Sequence, residues 1–296
     1  LELLFSQLSD ILHGVFLLGE LSPASLDSVQ SYGELFSTKI LAAKFKSIGL
    51  SCRWLDARNL IKGNAVKTDL ETTYANISGE IDKYPHTRLF ILPGFIASDA
   101  EGRTTTLGRG GSDYTASLAA VAVRARRVEI WTDVKGIMTA DPRIVPAARP
   151  IRNISYRAAQ ELSHFGAKVI FPPTIQPVVA EGIPIYVKDT FCPEDPGTLV
   201  EQNPPHHDNK PLGISHSNKI ALLSLEGSGM VGVPGFSSRL FDALSRRNIN
   251  IILITQASSL HTMCIAVSES DASKAKKAAD DCFAYEISLG RLNPLK

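Results

Sequence analysis

GRTTTLGRGGSDYTASL, residues 102–118, passes from a polar, glycine-rich loop into the start of an alanine-rich helix, DYTASLAAVAVRA. Upstream, Leu89–Leu92 (LFIL) reads as a buried strand turned by Pro93-Gly94; downstream, Val128–Trp131 reads as another strand. Strand, glycine loop, helix and strand in that order are what a parallel α/β sheet needs. Small residues let backbone N–H groups crowd around one anion, and the following helix N-terminus adds partial positive charge. Arg109 supplies a planar fork that matches a carboxylate or phosphate. The plainer alternative is a flexible loop ending in Ser112 as helix N-cap, with Asp113 favouring the dipole. A loop between strand and helix that carries its own cation favours the anion site.

Outward from this loop the pattern continues. Leu26, Val29, Phe36, Ile40 and Leu41 recur at helical spacing between a Ser22-Pro23 start and Gly49, and Arg53–Leu55 is a short strand candidate. Helices are expected over Tyr156–Phe165 and after Pro173, and a strand at Pro184–Val187. In EIWTDVKGIMTADPR, residues 129–143, Thr132 and Asp133 stand just past a strand end, where open α/β sheets bind ligands. A plain Asx turn would look the same. Gly197–Asn209 is rich in Pro, Asn and His, which puts a domain boundary there, with domains 1–205 and 206–296. Beyond it come strand Ile220–Leu225, helix Ser237–Arg247, strands Ile249–Ile254 and Met263–Val267, helix Ala272–Phe283 and a last short strand Tyr285–Ile287. That βαββαβ order is the ferredoxin-like arrangement.

The bulk numbers allow this. At 296 residues the chain is long enough for two domains, and 44% apolar with 21% charged residues is ordinary for a globular protein. Its 31 basic and 30 acidic residues leave a net charge of +1, so no general pull on nucleic acid or membrane follows. Cys52, Cys192, Cys264 and Cys282 lie far apart with no metal-ligand spacing, which fits reduced thiols in a cytoplasmic protein. His206-His207 reads as a solvated linker rather than a metal site. The opening LELLFSQLSDILHGVFLLGEL has helical spacing but is too interrupted by Glu2, Asp10 and His13 for a membrane span, and it has the look of a fragment's start.

Four blocks, SYGEL (31–35), GRTTTLGRGGSD (102–113), WTDVKGIMTADPR (131–143) and FGAKVI (165–170), resemble the signature blocks of aspartate kinases in order and spacing. The resemblance implies the amino-acid kinase fold, a mostly parallel sheet flanked by helices. It also implies transfer of the γ-phosphoryl of ATP, with Mg2+ held mainly by the nucleotide, to the side-chain carboxylate of L-aspartate. Carried over by position, it makes Glu34 the contact for the α-ammonium and Arg109 the contact for a carboxylate. Gly110, Gly111 and Ser112 would approach substrate and phosphates, with Asp113 organising nearby cations. Thr132, Asp133, Met138, Arg143 and Lys168 would line the nucleotide site, and Arg109, Asp113 and Lys168 would form the catalytic set. Met138 departs from the tyrosine often found there. Taken alone, Glu34 and Lys168 read as solvated charges; only the surrounding blocks raise them.

Two departures stand out. The family's first strand and KFGG-type lysine loop have no counterpart here, so the first strand of the sheet is expected to be missing and this polypeptide is expected to be poorly active by itself. IKGNAVKTD, near Lys62–Asp69, is several residues shorter than the family's loop. Residues 224–259 resemble the first ACT domain of aspartate kinases, closest to the bifunctional aspartate kinase–homoserine dehydrogenase type. That implies side-by-side pairing into a homo-oligomer and an amino-acid effector. Its contacts would be Gly229, Met230, Val231, Gly235, Asn250, Ile251, Ile252 and Gln256. Lysine-sensing relatives tend to place an acid where Ile252 stands; without it a buried ammonium goes unpaired, so threonine is the expected effector. The alternatives are a glutamate or acetylglutamate kinase, against which SYGEL and the ACT domain argue, and a non-catalytic effector-binding fragment.

Overall fold

The computed structural model describes residues 1–165, 169–205, 211–230, 235–256 and 261–296, which form two units, Leu1–His216 and Ser217–Lys296. Lys168, Val231 and the His206-His207 pair lie outside the described residues, as do 257–259 at the end of the ACT-like stretch.

The first unit runs α1 (Glu2–Leu18), α2 (Pro23–Ser47), β1 (Arg53–Trp54), α3 (Ala57–Leu60), α4 (Leu70–Asp82) and β2 (Phe90–Ile91). It continues with β3 (Ile96–Ser98), β4 (Thr104–Thr106), α5 (Gly111–Ala122), β5 (Val128–Thr132) and β6 (Asn153–Ser155). It closes with α6 (Tyr156–Phe165), α7 (Pro172–Ala180), β7 (Ile185–Asp189) and β8 (Thr198–Glu201). Ser22 starts α2 as expected: its Oγ accepts the Ser25 N–H at 3.1 Å, and Pro23 occupies the first turn, where its missing N–H costs nothing. Asp69 caps α4 likewise, accepting the Thr72 N–H at 3.1 Å.

The larger sheet has the order β5-β7-β8-β6. The pairs β5–β7, β6–β8 and, separately, β1–β2 are parallel, while β7–β8 and the β3–β4 hairpin are antiparallel. Along β7 the side chains alternate, so that Ile185, Val187 and Asp189 are buried. Ile185 and Val187 meet Ile154, Ile175 and Val178 in one core, and Leu35, Ile61, Ile77, Ile96 and Leu118 form a second core under α2, α4 and α5. Each fully buried side chain of this size contributes about 1.5–3 kcal/mol by leaving water. The expected 205/206 division falls beside the undescribed 206–210; residues 211–216 belong to the first unit, where Ile214 donates to the Thr139 carbonyl at 2.8 Å.

The second unit comprises β9 (Ile220–Glu226), α8 (Phe236–Ser245), β10 (Ile251–Gln256), β11 (Thr262–Ser268), α9 (Ala272–Cys282) and α10 (Ala284–Ser288). Its strands lie antiparallel in the order β10-β11-β9. Tyr285–Ile287, expected as the last strand, is instead part of α10, with Ile287 donating to Phe283 at 3.0 Å. Three alternating residues are too few to choose a period, and the fully buried Phe283 anchors the chain in helical continuation. The edge of β9 is taken by the tail: Ser224 and Lys296 exchange N–H to carbonyl bonds at 3.0 and 3.2 Å, and Asn293 donates to Glu226 at 2.8 Å. Residues 293–296 thus bond to the edge of β9 without forming a further strand of the three-stranded sheet. No helix among the described residues is long and apolar enough to cross a membrane.

Candidate functional site

The glycine loop is built by close approach. Gly108 and Gly110 both have left-handed backbones, φ 69° and 71°, which glycine adopts without strain. A Cβ on Gly110 would sit 2.9 Å from Thr174 Cγ2 and 3.1 Å from Phe171 Cβ, so the first turn of α7 presses on the loop. A Cβ on Gly111 would meet Leu107 and Phe95, each at 3.0 Å. The short loop around Ala65 lies beside Gly108, where a Cβ would stand 3.0 Å from the Ala65 Cβ. Gly110, not Ser112, is the N-cap of α5. Ser112 is already helical and exposed, and its Cα would lie 2.9 Å from a Cβ on Gly94.

This cap leaves donors free. Gly111 N–H donates to Gly108 and Tyr114 N–H to Gly110, but the N–H groups of Ser112 and Asp113 meet no acceptor among the described residues. Arg109 is exposed, lies over the Phe171 ring at 5.1 Å, and forms no ion pair among the described residues. Two orphan N–H groups, a helix start and an unpaired guanidinium thus stand together, a ready anion site. Asp113 is half-buried, and burial pushes its carboxyl above the usual carboxylate range.

Phe95 belongs to this constellation and was missed by sequence reading. It holds φ 69°, rare for a bulky residue, while its N–H donates to Thr115 Oγ1 at 3.2 Å and its carbonyl accepts from Leu107 at 2.8 Å. Such strain, of order 1–3 kcal/mol, persists only where surrounding structure over-determines it. Its only sequence signal is its place after Pro93-Gly94, which reads as an ordinary turn.

Glu34 sits on α2, which packs against β4; Thr106 Oγ1 donates to Asp27 Oδ1 at 2.8 Å across that contact. Glu34 is two helical turns beyond Asp27, about 10 Å along the axis. It has no ion pair among the described residues, and burial raises its carboxyl too. A half-buried, unpaired carboxylate is suited to a ligand cation.

α5 is followed in the chain by β5, which ends at Thr132 with Asp133 just beyond it. There Thr132 Oγ1 donates to Asp133 Oδ1 at 3.1 Å. Gly136, φ 119°, has no room for a Cβ against Thr198, whose Oγ1 accepts the Ile137 N–H at 2.8 Å. This pins the segment carrying Met138, which is half-buried and bridged to Pro150. Arg143 is exposed, and its fork closes on Asp141 at 2.7–3.2 Å, holding that carboxyl down at about 2. Among the described residues no group of three or more His, Cys, Asp or Glu could hold a metal ion.

In the second unit the expected effector residues divide. Gly229 gives its N–H to Arg291 O at 2.9 Å, and Met230 is buried in the core. Gly235 caps α8 at φ 89°, with nothing among the described residues within 4 Å of a Cβ placed on it. Asn250 and Ile251 line an open groove of about 520 Å³ with Phe241, Ser245, Asn248 and Ile249. The β10–β11 register breaks between Ile251 and Leu253, so Ile252 falls at a bulge, a device that re-aims side chains. Gln256, at the end of β10, is exposed.

The model of the amino acid kinase family matches residues 8–189, and an ACT domain model matches 223–283. The bifunctional aspartokinase/homoserine dehydrogenase 2 of Arabidopsis thaliana is 36% identical over 301 residues, covering 98% of this chain and 33% of that protein. Lysine-sensitive aspartokinase 3 of Escherichia coli is 40% identical over 241 residues, 79% of this chain and 53% of that protein. The chain thus spans about a third to a half of the length of these relatives. The crystal structure of E. coli aspartokinase III with aspartate and ADP, an R-state, superposes with TM-score 0.74 at 35% identity over 90% of this chain and 60% of that one. The same enzyme with lysine and aspartate, a T-state, gives 0.70 at 35% identity over 90% and 61%.

Proposed function

Because the chain belongs to the amino acid kinase family, we propose that it is the part of an aspartokinase that joins the phosphoryl-acceptor site to an amino-acid sensor. The reaction is ATP-dependent phosphorylation of the L-aspartate side chain to 4-phospho-L-aspartate, entering lysine, threonine and methionine biosynthesis. The observation that carries this reading is the start of α5, where the N–H groups of Ser112 and Asp113 meet no acceptor, and Arg109 forms no ion pair, among the described residues. A carboxylate with a pKa of about 4 is already ionised at neutral pH, so the reaction needs no general base. It needs two mutually repelling anions to be held together and their charge neutralised. In this reading Arg109 holds a substrate carboxylate, Glu34 meets the α-ammonium, and Gly110 and Gly111 let the phosphates approach. Thr132, Asp133, Met138, Arg143 and Lys168 face the nucleotide, and Mg2+ arrives held mainly by ATP.

Titrating the chain with L-aspartate, L-glutamate and N-acetyl-L-glutamate tests the acceptor. Aspartate binding that vanishes in Arg109→Ala supports the proposal; preference for another acceptor sinks it. The 296 residues hold no KFGG-type lysine block. Slow aspartate-dependent ADP release from this polypeptide is therefore part of the reading, and turnover matching a complete kinase would overturn that part.

Feedback control belongs to the same proposal, with threonine favoured over lysine because Ile252 offers no partner for an ammonium. Calorimetry with both amino acids decides it, and tighter lysine binding reverses the assignment. Ile252→Asp is expected to raise lysine affinity by about tenfold, the gain from one charge-assisted pair. Pairing of two copies is proposed through β10, a sheet-edge strand on which Leu253 and Ile254 are exposed. A cytoplasmic location is likewise part of the proposal; the plant relatives carry chloroplastic names.

A further inference from the structure

Asp27, Ser31, Glu34, Leu35 and Thr38 recur along α2 at three to four residues, so they share one face of the helix. Ser31 and Leu35 are buried and the other three half-buried, which turns this face toward the rest of the unit. Side-chain hydrogen bonds hold it on either side of Glu34. Beyond Glu34, Thr38 Oγ1 accepts from Trp54 Nε1 at 3.0 Å, which ties the helix to β1. Before it, Asp27 Oδ1 accepts from Thr106 Oγ1 at 2.8 Å, which ties the helix to the last residue of β4. Thr106 is itself buried, and the next residue, Leu107, donates to the Phe95 carbonyl at 2.8 Å and leads into Gly108, Arg109 and Gly110. The Asp27 link therefore joins the helix of Glu34 to the strand that delivers Arg109. A helix-dipole role does not account for Asp27, which lies beyond the first turn of a helix that Ser22 already caps. Nor does an ion pair, since Asp27 forms none among the described residues.

We propose that Asp27 is a positioning residue for the amino-acid acceptor, fixing through Thr106 where Glu34 stands relative to the glycine loop. The proposal rests on the reading of Glu34 and Arg109 given above. Tyr32 and Leu35 share a core with Ile96 and Leu107, which keeps α2 close to the β3–β4 hairpin, but burial has no direction. A hydrogen bond to a charged acceptor is short and directional, so it pins the rotation and the register of the helix together. Glu34 follows Asp27 by seven residues, and two helical turns bring it back to within about 20° of the same direction. A fixed Asp27 therefore fixes Glu34. Binding sites hold their groups to within about 0.5 Å of the productive geometry, a tolerance that a helix free to roll on an apolar surface does not meet.

Succinate, which is aspartate without its α-ammonium, separates the two ends of the site when both are titrated into the 296-residue chain. The parent should bind aspartate about 10- to 100-fold tighter than succinate, the share of one charge-assisted pair with Glu34. Asp27→Ala should shrink that preference by about tenfold while succinate affinity changes by less than about twofold. Asp27→Asn, whose amide oxygen still accepts from Thr106, should restore most of the preference. Thr106→Val removes the same bond from its other end and should match Asp27→Ala, with the double variant no worse than either. It also carries the test should Asp27→Ala fail to fold. A preference retained in Asp27→Ala and Thr106→Val, or aspartate and succinate weakened alike, overturns the proposal. A parent without the preference, or a Glu34→Gln variant that keeps it, sinks the reading of Glu34 and the proposal with it. A preference that Glu34→Gln loses and Asp27→Ala keeps sinks the proposal alone.

Discussion

The chain contains two versions of one local design, strand, glycine loop and helix whose N-cap is a glycine in the left-handed region. Gly110 caps α5 at φ 71° and Gly235 caps α8 at φ 89°. The surroundings differ. Gly110 is wedged against Phe171 and Thr174, whereas a Cβ on Gly235 would meet nothing within 4 Å among the described residues. Packing fixes the first loop before any ligand arrives, as phosphoryl transfer requires of groups that stabilise developing charge. At the second, the described residues leave the cap roomy.

Gly110→Ala should break the first loop most severely. The new Cβ adds about 1 kcal/mol of backbone strain and about 1–3 kcal/mol of overpacking against α7. At about 2–4 °C per kcal/mol for a unit of this size, the first unit should melt roughly 5–15 °C lower. A differential scan showing no shift would mean that α7 yields easily and that the loop is not preset.

Arg109→Gln separates chemistry from packing. Arg109 is exposed, so melting should hold, yet losing a charge-assisted fork should weaken aspartate binding by about 10- to 100-fold. A titration giving unchanged affinity would remove Arg109 from the site.

Much of this contrast was legible in the sequence. Ser22-Pro23 announced α2 because side-chain caps leave a residue-type signature, LFIL announced β2 by an apolar run before a turn, and Val128–Trp131 announced β5. The cap of α5 was not legible. A left-handed glycine cap leaves no side-chain mark, so Ser112 attracted the assignment that Gly110 holds. Phe95 escaped because strain at a phenylalanine is set by tertiary contacts with Leu107 and Thr115. The β3–β4 hairpin, three residues a side, and the tail beside β9 are too short to show a period. The residue types of the candidate anion site were readable; which of its N–H groups meet no acceptor among the described residues was not.

Gly235→Ala is the matched control for Gly110→Ala. With no neighbour to strike, it should cost only the backbone term, about 1 kcal/mol. The loss should appear in the second unit's melting, with aspartate binding untouched. A loss as large as that of Gly110→Ala would abolish the distinction between a wedged and an open cap.

The smallest effect concerns charge at the two helix starts. The first turn of α5 carries Asp113, while that of α8 carries no acid. A carboxylate near free N–H groups would ordinarily be stabilised, yet burial pushes Asp113 upward. Its folded pKa therefore lies above its unfolded one, and the native state binds the proton more tightly. The favourable contribution is full below the ordinary aspartate value and is lost as pH rises through the raised folded value. Above that value the ionised group is a net cost to folding. Asp113→Asn should remove this slope, so that melting measured between acid and neutral pH is flatter and slightly higher at pH 7 than in the parent. If Asp113 has the role that the resemblance implies, aspartate or nucleotide binding should nevertheless weaken in this variant. A variant that gains stability at neutral pH and keeps full binding would show Asp113 to be a tolerated buried acid, and the two helix starts would then differ in packing alone.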